Sequence, residues 1–478
     1  MKNGEHQAMG TYDLCVIGSG PAGQRAAIQS AKVGKRVCVV ERFREVGGVA
    51  VNTGTIPSKA LREAILGTNG NKSLLPTEHD FMSARSQSFA GLLEAANKVI
   101  RHEVAKIAGH FASNGIDVAY GEASFLDPHT VRVAGANVSE VKADKFLIAV
   151  GASPARPEDI PFDGQNVITS DELLRLEYLP ATMIVIGGGV IGTEYASMLT
   201  ALGVRVTLIE GRNELLGFVD KEITEALQFH LRKRGMTLRL GEKAVSISVI
   251  DPPDLARSGN DQMAEVYLES GKTLRADCLL YCVGRQGATE SLNLQAAGLA
   301  ADKRGRIEVN EHYQTAVEHI YAAGDVVGFP ALASTSMEQG RHAACHMFGL
   351  QLPEDSKTLP YGVYAIPEIS MVGKTEQELT EQNIPFESGV AQYDEIARGQ
   401  LLGDELGMLK LLIHQETQHI LGVHVIGAGA TELIHIGQAV MALGGTLDYF
   451  IHTVFNYPTL AECYKVAALN GRNRLRST

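Results

Sequence analysis

At 478 residues, 45% hydrophobic and 21% charged, the chain is of ordinary globular composition and too long for one core; at about 150 residues per domain it holds roughly three. A formal net charge of −12 argues against nucleic acid and anionic membrane as partners, and no apolar run reaches the length of a membrane span. The polar N-terminus lacks the basic-then-apolar order of a secretory signal, so a soluble, cytoplasmic protein is expected.

The first motif follows a short apolar strand, Tyr12 to Ile17. Gly18-Ser19-Gly20-Pro21-Ala22-Gly23 leads into a helical run from Gln24 to Val33, and a second strand, Arg36 to Val40, ends on Glu41. Here Gly18, Gly20 and Gly23 turn tightly and admit a pyrophosphate to the helix N-terminus, while Glu41 holds a ribose. A lone GxGxxG is weak evidence, but flanked by both strands and a terminal acid it is specific.

The stretch Val46 to Ala64, VGGVAVNTGTIPSKALREA, reads as a loop closing onto a helix that Pro57 starts. Gln87 to His110 is expected as a long amphipathic helix and Gly121 to Val141 as short strands with turns. Lys145 to Val150 reads as a strand ending at Gly151, and the proline-bearing Pro154 to Pro161 as a crossing between domains.

A second fingerprint then appears. Strand Met183 to Ile186 meets Gly187-Gly188-Gly189-Val190-Ile191-Gly192, followed by a helix to Leu202 and a strand from Val204 to Ile209 ending on Glu210. From third glycine to acid the spacing is 18 residues in both copies, Gly23 to Glu41 and Gly192 to Glu210. Two copies at one internal spacing imply two dinucleotides, with Gly187, Gly189 and Gly192 lining the second site.

Glu210 is suited to receive a ribose diol and disfavours a 2′-phosphate, which Arg212 can offset, so the combination permits both NAD(H) and NADP(H). Arg42 follows Glu41 in the first copy, so an arginine near the acid is not diagnostic alone. A helix from Lys221 to Arg234 follows, and Leu279 to Gly284 closes the inserted domain. His319 to Ala323 is a further strand with Gly324-Asp325 at its end. From Tyr361 strands (Tyr364 to Val372, Met408 to His414, Ile420 to Ile426) alternate with helices (Ala430 to Leu443, Ala461 to Leu469).

The six cysteines, Cys15, Cys38, Cys278, Cys282, Cys345 and Cys463, are scattered singly without metal-ligand spacing, and no metal site is expected. They read as reduced core residues. Cys278 and Cys282 fall in DCLLYCVG, expected as one buried strand where positions four apart are too distant to bond.

The stretch Val46 to Ala64 resembles the redox segment of the flavoprotein disulfide reductases, relatives of lipoamide dehydrogenase and glutathione reductase, in which Gly-Gly-x-Cys-x-x-x-x-Cys-x-Pro-x-Lys carries a disulfide beside the flavin. Gly47, Gly48, Pro57, Ser58 and Lys59 fit, but Ala50 and Thr55 stand at the cysteine positions. At the C-terminal His-Pro-x-x-x-Glu motif of that family, Glu462 fits and Tyr457 replaces the histidine. Neither thiol exchange nor the proton shuttle to a thiol is then expected.

The resemblance implies an α/β fold: two Rossmann-like dinucleotide-binding domains, one for FAD and one for NAD(P), and a C-terminal α+β dimerisation domain. The FAD domain would comprise residues 1–155 and 284–357, the NAD(P) domain 156–283 and the interface domain 358–478. It also implies that Gly324-Asp325 holds the ribitol of the flavin, further cofactor contacts from Gly48, Gly151, Gly284 and Ala333, a Lys59–Glu194 pair near the flavin, and a homodimer or larger homo-oligomer. Thr55, Tyr457 and Glu462 complete the expected catalytic set.

Among branches of the family the chain is most similar to the soluble pyridine nucleotide transhydrogenases, through GTIPSKALR, the LLYxxGR run (Leu279 to Arg285), Ala365 to Glu376, HIGQA (His435 to Ala439), Phe455 to Glu462 and Val466 to Gly471. Ala50 departs from that branch, which tends to keep a cysteine there. The reading is hydride transfer between NADPH and NAD+ with bound flavin as relay, in ping-pong order. The alternatives are a diaphorase passing electrons to a quinone or oxygen, and a non-catalytic nucleotide sensor.

Overall fold

The computed structural model describes residues 7–69, 81–136, 138–251, 262–352 and 358–477. The chain divides into two compact units: Met1–Pro157, Ser170–Tyr178 and Val283–Glu354 form the first, and Glu158–Thr169, Leu179–Cys282 and Asp355–Thr478 the second.

In the first unit the strand Gln7–Ile17 pairs in parallel with Val37–Glu41 on one side and Val138–Ile148 on the other. Asp117–Tyr120 extends the sheet beyond Val37–Glu41. The last residues of Val138–Ile148 also pair in parallel with Ile320–Ala322, while its first residues pair antiparallel with Thr130–Ala134, which in turn pairs with Glu122–Asp127. One eleven-residue strand thus serves a parallel nucleotide-binding half and an antiparallel meander. Val37–Glu41 is buried throughout, as a parallel strand covered on both faces must be. On one face Leu14, Val16, Val39 and Leu147 pack with Ala26 and Ala27 of the helix Pro21–Lys32 and Ala343 and Ala344 of the helix Ala333–Met347.

Those two helices approach closely because Gly340 has no side chain: a Cβ there would lie 2.1 Å from the Ala22 carbonyl oxygen. The proline-bearing exit is anchored as well, since Ala152–Pro154 pairs antiparallel with Arg285–Gly287.

In the second unit a parallel sheet runs in the order Thr237–Leu240, Arg205–Glu210, Thr182–Ile186, Cys278–Tyr281, Val167–Ile168. A three-stranded antiparallel sheet, Ala244–Ile250, Met263–Leu268 and Thr273–Ala276, packs its Ala264, Val266 and Leu268 against Ile184 and Ile209. The C-terminal part is an antiparallel sheet of five strands, Tyr361–Val363, Ile369–Gly373, Ile420–Ile426, Met408–His414 and Phe386–Gln392, carrying the helices Ala430–Ala442 and Glu462–Ser477. Gly389 and Gly471 let the last helix lie on the sheet, for a Cβ on Gly389 would meet the Ala467 carbonyl at 2.1 Å.

Several expected elements change extent. The stretch after Gly47 is not a loop but a helical turn, Gly48–Asn52, followed at once by the helix Thr55–Asn69. The amphipathic helix runs from Phe81 to Ser113, longer than its apolar period alone indicates. Tyr364 to Val372 is not one strand: Tyr361–Val363 and Ile369–Gly373 pair antiparallel with each other, and Pro367, which cannot donate to a ladder, lies in the connection. Cys278–Tyr281 ends before Cys282, so the two cysteines do not share a strand as expected, and all six cysteines are free.

One cation organises the second unit. Lys410, on the interior strand Met408–His414, is completely buried, with its ammonium 2.8 Å from Asp220, 2.9 Å from Glu222 and 3.1 Å from Glu376. Asp220 caps the helix Lys221–Lys233 by accepting from the Glu222 N–H and also accepts from the Glu376 N–H at 3.1 Å, so one carboxylate fixes two helix starts. Burial alone would raise the Asp220 carboxyl, but His424, Lys410 and the Glu376 N–H outweigh it and hold it below the usual carboxylate range.

Lys410→Met should leave three uncompensated carboxylates and destabilise this unit by about 3–5 kcal/mol, read as an earlier urea or thermal transition. A variant that melts with the parent would show that the cluster carries no stability. Because the folded Asp220 value is depressed, its contribution is present above the ordinary aspartate range and should be lost as pH falls through the lowered value.

Candidate functional site: two dinucleotide cradles

The two fingerprints are built alike, down to single hydrogen bonds. Gly18 (φ 106°) and Gly187 (φ 108°) both take left-handed turns closed to side chains. Their N–H groups donate to Val40 at 2.8 Å and Ile209 at 2.9 Å, which locks each turn to the neighbouring strand. A Cβ on Gly23 would sit 2.0 Å from the Gly18 carbonyl oxygen and one on Gly192 1.9 Å from that of Gly187. The third glycine therefore sets how closely helix meets strand. The middle glycines differ in purpose: nothing lies within 4 Å of a Cβ position on Gly20 or Gly189, which cap the helices Pro21–Lys32 and Val190–Ala201 without a side-chain bond. Each helix start therefore combines unpaired N–H groups, the positive dipole end and open space, an arrangement that fits a pyrophosphate.

The remaining first-unit candidates collect at the carboxyl ends of the same parallel strands. Gly18 follows Gln7–Ile17, Glu41 ends Val37–Glu41, Gly151 follows Val138–Ile148 and Gly324 follows Ile320–Ala322. The order in which the chain adds strands reverses between the first and third of these, which run parallel, and the crevice outside such a reversal is where ligands sit in open α/β sheets. Gly151 (φ 69°) has open space at its Cβ position, while Gly324 (φ 86°) donates its N–H to Gln339 at 2.8 Å. Asp325 follows; burial raises its carboxyl, opposed by the Arg285 guanidinium, which itself donates to the Ala152 carbonyl oxygen. Gly284 is tied to the domain exit by Ala155, whose N–H donates to its carbonyl oxygen at 3.2 Å, and Ala333 opens the helix Ala333–Met347.

The redox-like segment is joined to this cradle by a residue that sequence reasoning passed over. Ser19 donates its hydroxyl to the Glu41 carboxylate and accepts the Gly47 N–H at 2.8 Å, and its own N–H donates to Glu41 at 3.0 Å. Gly48 (φ 59°) then packs on Gly20, where a Cβ would come within 2.8 Å of the Gly20 Cα. The hydroxyl in Gly-Ser-Gly was the available signal. Ala50 lies on the turn Gly48–Asn52 and Thr55, exposed, begins the next helix, so neither position supplies a thiol. Lys59 is one turn further on and donates to the Ser58 hydroxyl at 3.3 Å.

In the second unit Glu194 is only 3% exposed, and its carboxylate accepts the Tyr364 N–H at 2.8 Å, so it is not a solvated helix-surface residue. Glu210 accepts the Gly188 N–H at 2.6 Å and the Arg212 N–H at 2.9 Å, and Arg212 folds back to donate Nε at 3.0 Å and Nη2 at 3.2 Å. Burial alone would raise the Glu210 carboxyl, but the Arg212 and Gly188 donors hold it below the usual range. The first copy differs: Glu41 takes Ser19 and the Phe43 N–H, while Arg42 stacks on the Phe43 ring with 4.8 Å to its centroid. An arginine one residue after the acid turns to a ring; two residues after, it returns to the acid.

Tyr457 and Glu462 belong to the C-terminal part. Tyr457 is 74% exposed, and Glu462 begins the helix Glu462–Ser477 and accepts the Thr459 N–H at 3.4 Å. Among the described residues no group of His, Cys, Asp or Glu is arranged to hold a metal, and no helix is long and apolar enough to cross a membrane.

Comparison with known proteins agrees with this geometry. The family model described as "Pyridine nucleotide-disulphide oxidoreductase" matches residues 12–340, and that family's dimerisation-domain model matches residues 359–468. The chain is 48% identical over 472 residues to the soluble pyridine nucleotide transhydrogenase of Mycobacterium tuberculosis (98% of this chain, 99% of the other). It is 44% identical to that of Colwellia psychrerythraea, covering 97% and 98%. Among solved structures, the HOCl-induced flavoprotein disulfide reductase RclA from Escherichia coli superposes with a TM-score of 0.84 at 29% identity, covering 96% of this chain and 99% of that one. LpdA from Mycobacterium tuberculosis superposes at 0.83 with 27% identity over 95% and 99%. With matched models over most of its length and near-full-length relatives at almost half identity, the chain belongs to the pyridine nucleotide-disulphide oxidoreductase family.

Proposed function

We propose that this protein transfers hydride between NADPH and NAD+. The observation that carries the reading is a chain with two complete dinucleotide cradles in which Ala50 and Thr55 occupy the places of a redox cysteine pair. Relatives at 44–48% identity over nearly the whole chain, named as soluble pyridine nucleotide transhydrogenases, support it.

The first cradle fits FAD: Gly20 leaves the helix start open to a pyrophosphate, Gly18 and Gly23 fix the turn, and Glu41 is positioned for a ribose, with Gly48, Gly151, Gly284, Gly324, Asp325 and Ala333 as further contacts. Bound FAD supplies a hydride acceptor and donor that meets one nicotinamide and then another. The second cradle binds the nicotinamide nucleotides in turn through Gly187, Gly189, Gly192 and Glu210, so the two substrates exclude each other and the kinetics are ping-pong. Lys59 supplies positive charge at the reacting end, and Glu194 is a buried acid held by the Tyr364 N–H. Thr55 removes thiol competition for the hydride, and Tyr457 and Glu462 replace a proton shuttle that this reaction does not need. The homodimer, working in the cytoplasm, forms through the C-terminal part, which leaves Leu443 87% and Val454 90% exposed.

The direct test is rapid mixing of the NADPH-treated holoenzyme with NAD+. Formation of NADH without any thiol or quinone present is expected; absence of NADH would overturn the reading.

Arg212→Ala should lower kcat/KM for NADPH by about tenfold or more, near 1.4 kcal/mol, while leaving NADH nearly unchanged, because Glu210 then faces the 2′-phosphate with its charge unbalanced. Equal loss for both nucleotides would remove Arg212 from this role.

Burial pushes the Cys38 and Cys463 thiols up to about 12 and raises those of Cys15, Cys278 and Cys345. Cys282, expected in the core, is only half-buried and is the one thiol a reagent reaches readily; alkylation of the native enzyme should still spare activity, because a single thiol forms no intramolecular disulfide, and anaerobic dithionite titration should consume one two-electron equivalent per subunit. A second equivalent would reveal a working thiol pair. For the assembly, Val454→Asp should convert dimer to monomer by light scattering; an unaltered dimer would place the interface elsewhere.

A further inference from the structure

Arg212 spends its Nε and Nη2 edge on Glu210, at 3.0 and 3.2 Å, so acid and guanidinium together carry no net charge. A 2′-phosphate brings nearly two negative charges at neutral pH. A neutral pair offers it little attraction, and a second cation is needed at the end of the strand Arg205–Glu210.

The backbone brings one there. The Glu242 N–H donates to the Glu210 carbonyl oxygen at 3.1 Å and the Gly241 N–H to that of Arg212 at 2.8 Å, which fixes the turn between Thr237–Leu240 and Ala244–Ile250 onto the acid and its arginine. The next residue, Lys243, lays its stem over Gly211: a Cβ placed on Gly211 would lie 3.3 Å from its Cγ and 3.6 Å from its Cε. Because position 211 has no side chain, the stem packs on backbone between Glu210 and Arg212. Lys243 is exposed, and among the described residues its ammonium makes no ion pair.

We propose that Lys243 is the cation that recognises the 2′-phosphate of NADP(H). Arg212 acts by neutralising Glu210, and Lys243 adds the net positive charge that a ribose diol does not need. One cleft then accepts either nucleotide, with the diol met by Glu210 and the phosphate by the lysine. This rests on the reading that both nucleotides use the second cradle.

The probes are 2′,5′-ADP and 5′-ADP, titrated calorimetrically into the holoenzyme and into Lys243→Met and Lys243→Arg. Methionine keeps the stem over Gly211 and removes the charge. Lys243→Met should weaken 2′,5′-ADP about tenfold and 5′-ADP less than twofold, Lys243→Arg should restore binding, and the difference between the two probes should shrink as salt is raised. Equal weakening of both probes, or none for 2′,5′-ADP, would overturn the assignment. If the unaltered enzyme binds 2′,5′-ADP in this way and yet forms no NADH from NADPH and NAD+, the transhydrogenase reading fails while the lysine assignment stands.

Discussion

Everything this protein does with nucleotides depends on one steric constraint, used twice. A glycine at the third fingerprint position lets a helix sit against the turn before it, with only about 2 Å between a would-be Cβ and the carbonyl oxygen of the first glycine. A methyl group at Gly23 or Gly192 would force helix and strand apart. The open N–H groups would then no longer point into the crevice beyond the strand ends, and neither the anion nor the acid on the neighbouring strand would be in register.

On that shared scaffold the copies diverge at a few atoms. Ser19 in the first turn becomes Gly188 in the second, where a Cβ would crowd the side chains, 2.6 Å from Leu215 Cδ2 and 3.1 Å from Glu210 Cβ. The hydroxyl of Ser19 couples Glu41 to Gly47 and so ties the first cradle to the helical segment that carries Lys59. Both acids accept two backbone N–H groups, but without a hydroxyl at 188 Glu210 takes the exposed Arg212 guanidinium instead. A fixed acid suits a cofactor that stays; an acid balanced by an exposed arginine suits nucleotides that exchange.

The second unit is held by a different principle. Lys410 is buried among three carboxylates contributed by the helix Lys221–Lys233, its cap and the start of the helix Glu376–Glu381. A hydrophobic residue would fill the same volume, but it would not orient two helix starts through Asp220. The cluster thereby fixes the direction in which the nucleotide-binding sheet meets the C-terminal sheet within this unit.

Much of this was legible in the sequence, because the controlling signals are local. Glycine spacing and a terminal acid are set by backbone sterics within some twenty residues, so both cradles with their strands and helices could be read directly, while the missing dithiol at Ala50 and Thr55 was legible only through the resemblance of Val46 to Ala64 to a redox segment. Element ends were less legible: Gly48–Asn52 closes into a helical turn only because Gly48 packs on Gly20, and the strand expected from Tyr364 onward breaks at Pro367. The contacts of charged side chains were not legible at all. Asp220 and Lys410 are 190 residues apart, and Ser19 and Gly47 are 28 apart. Arg42 and Arg212 look alike beside their acids, yet one stacks on a ring and the other returns to the carboxylate. Local sterics determined the two nucleotide cradles from sequence alone; which charge each acid meets was decided only by the tertiary structure, because a pairing energy depends on distance and burial that no local pattern encodes.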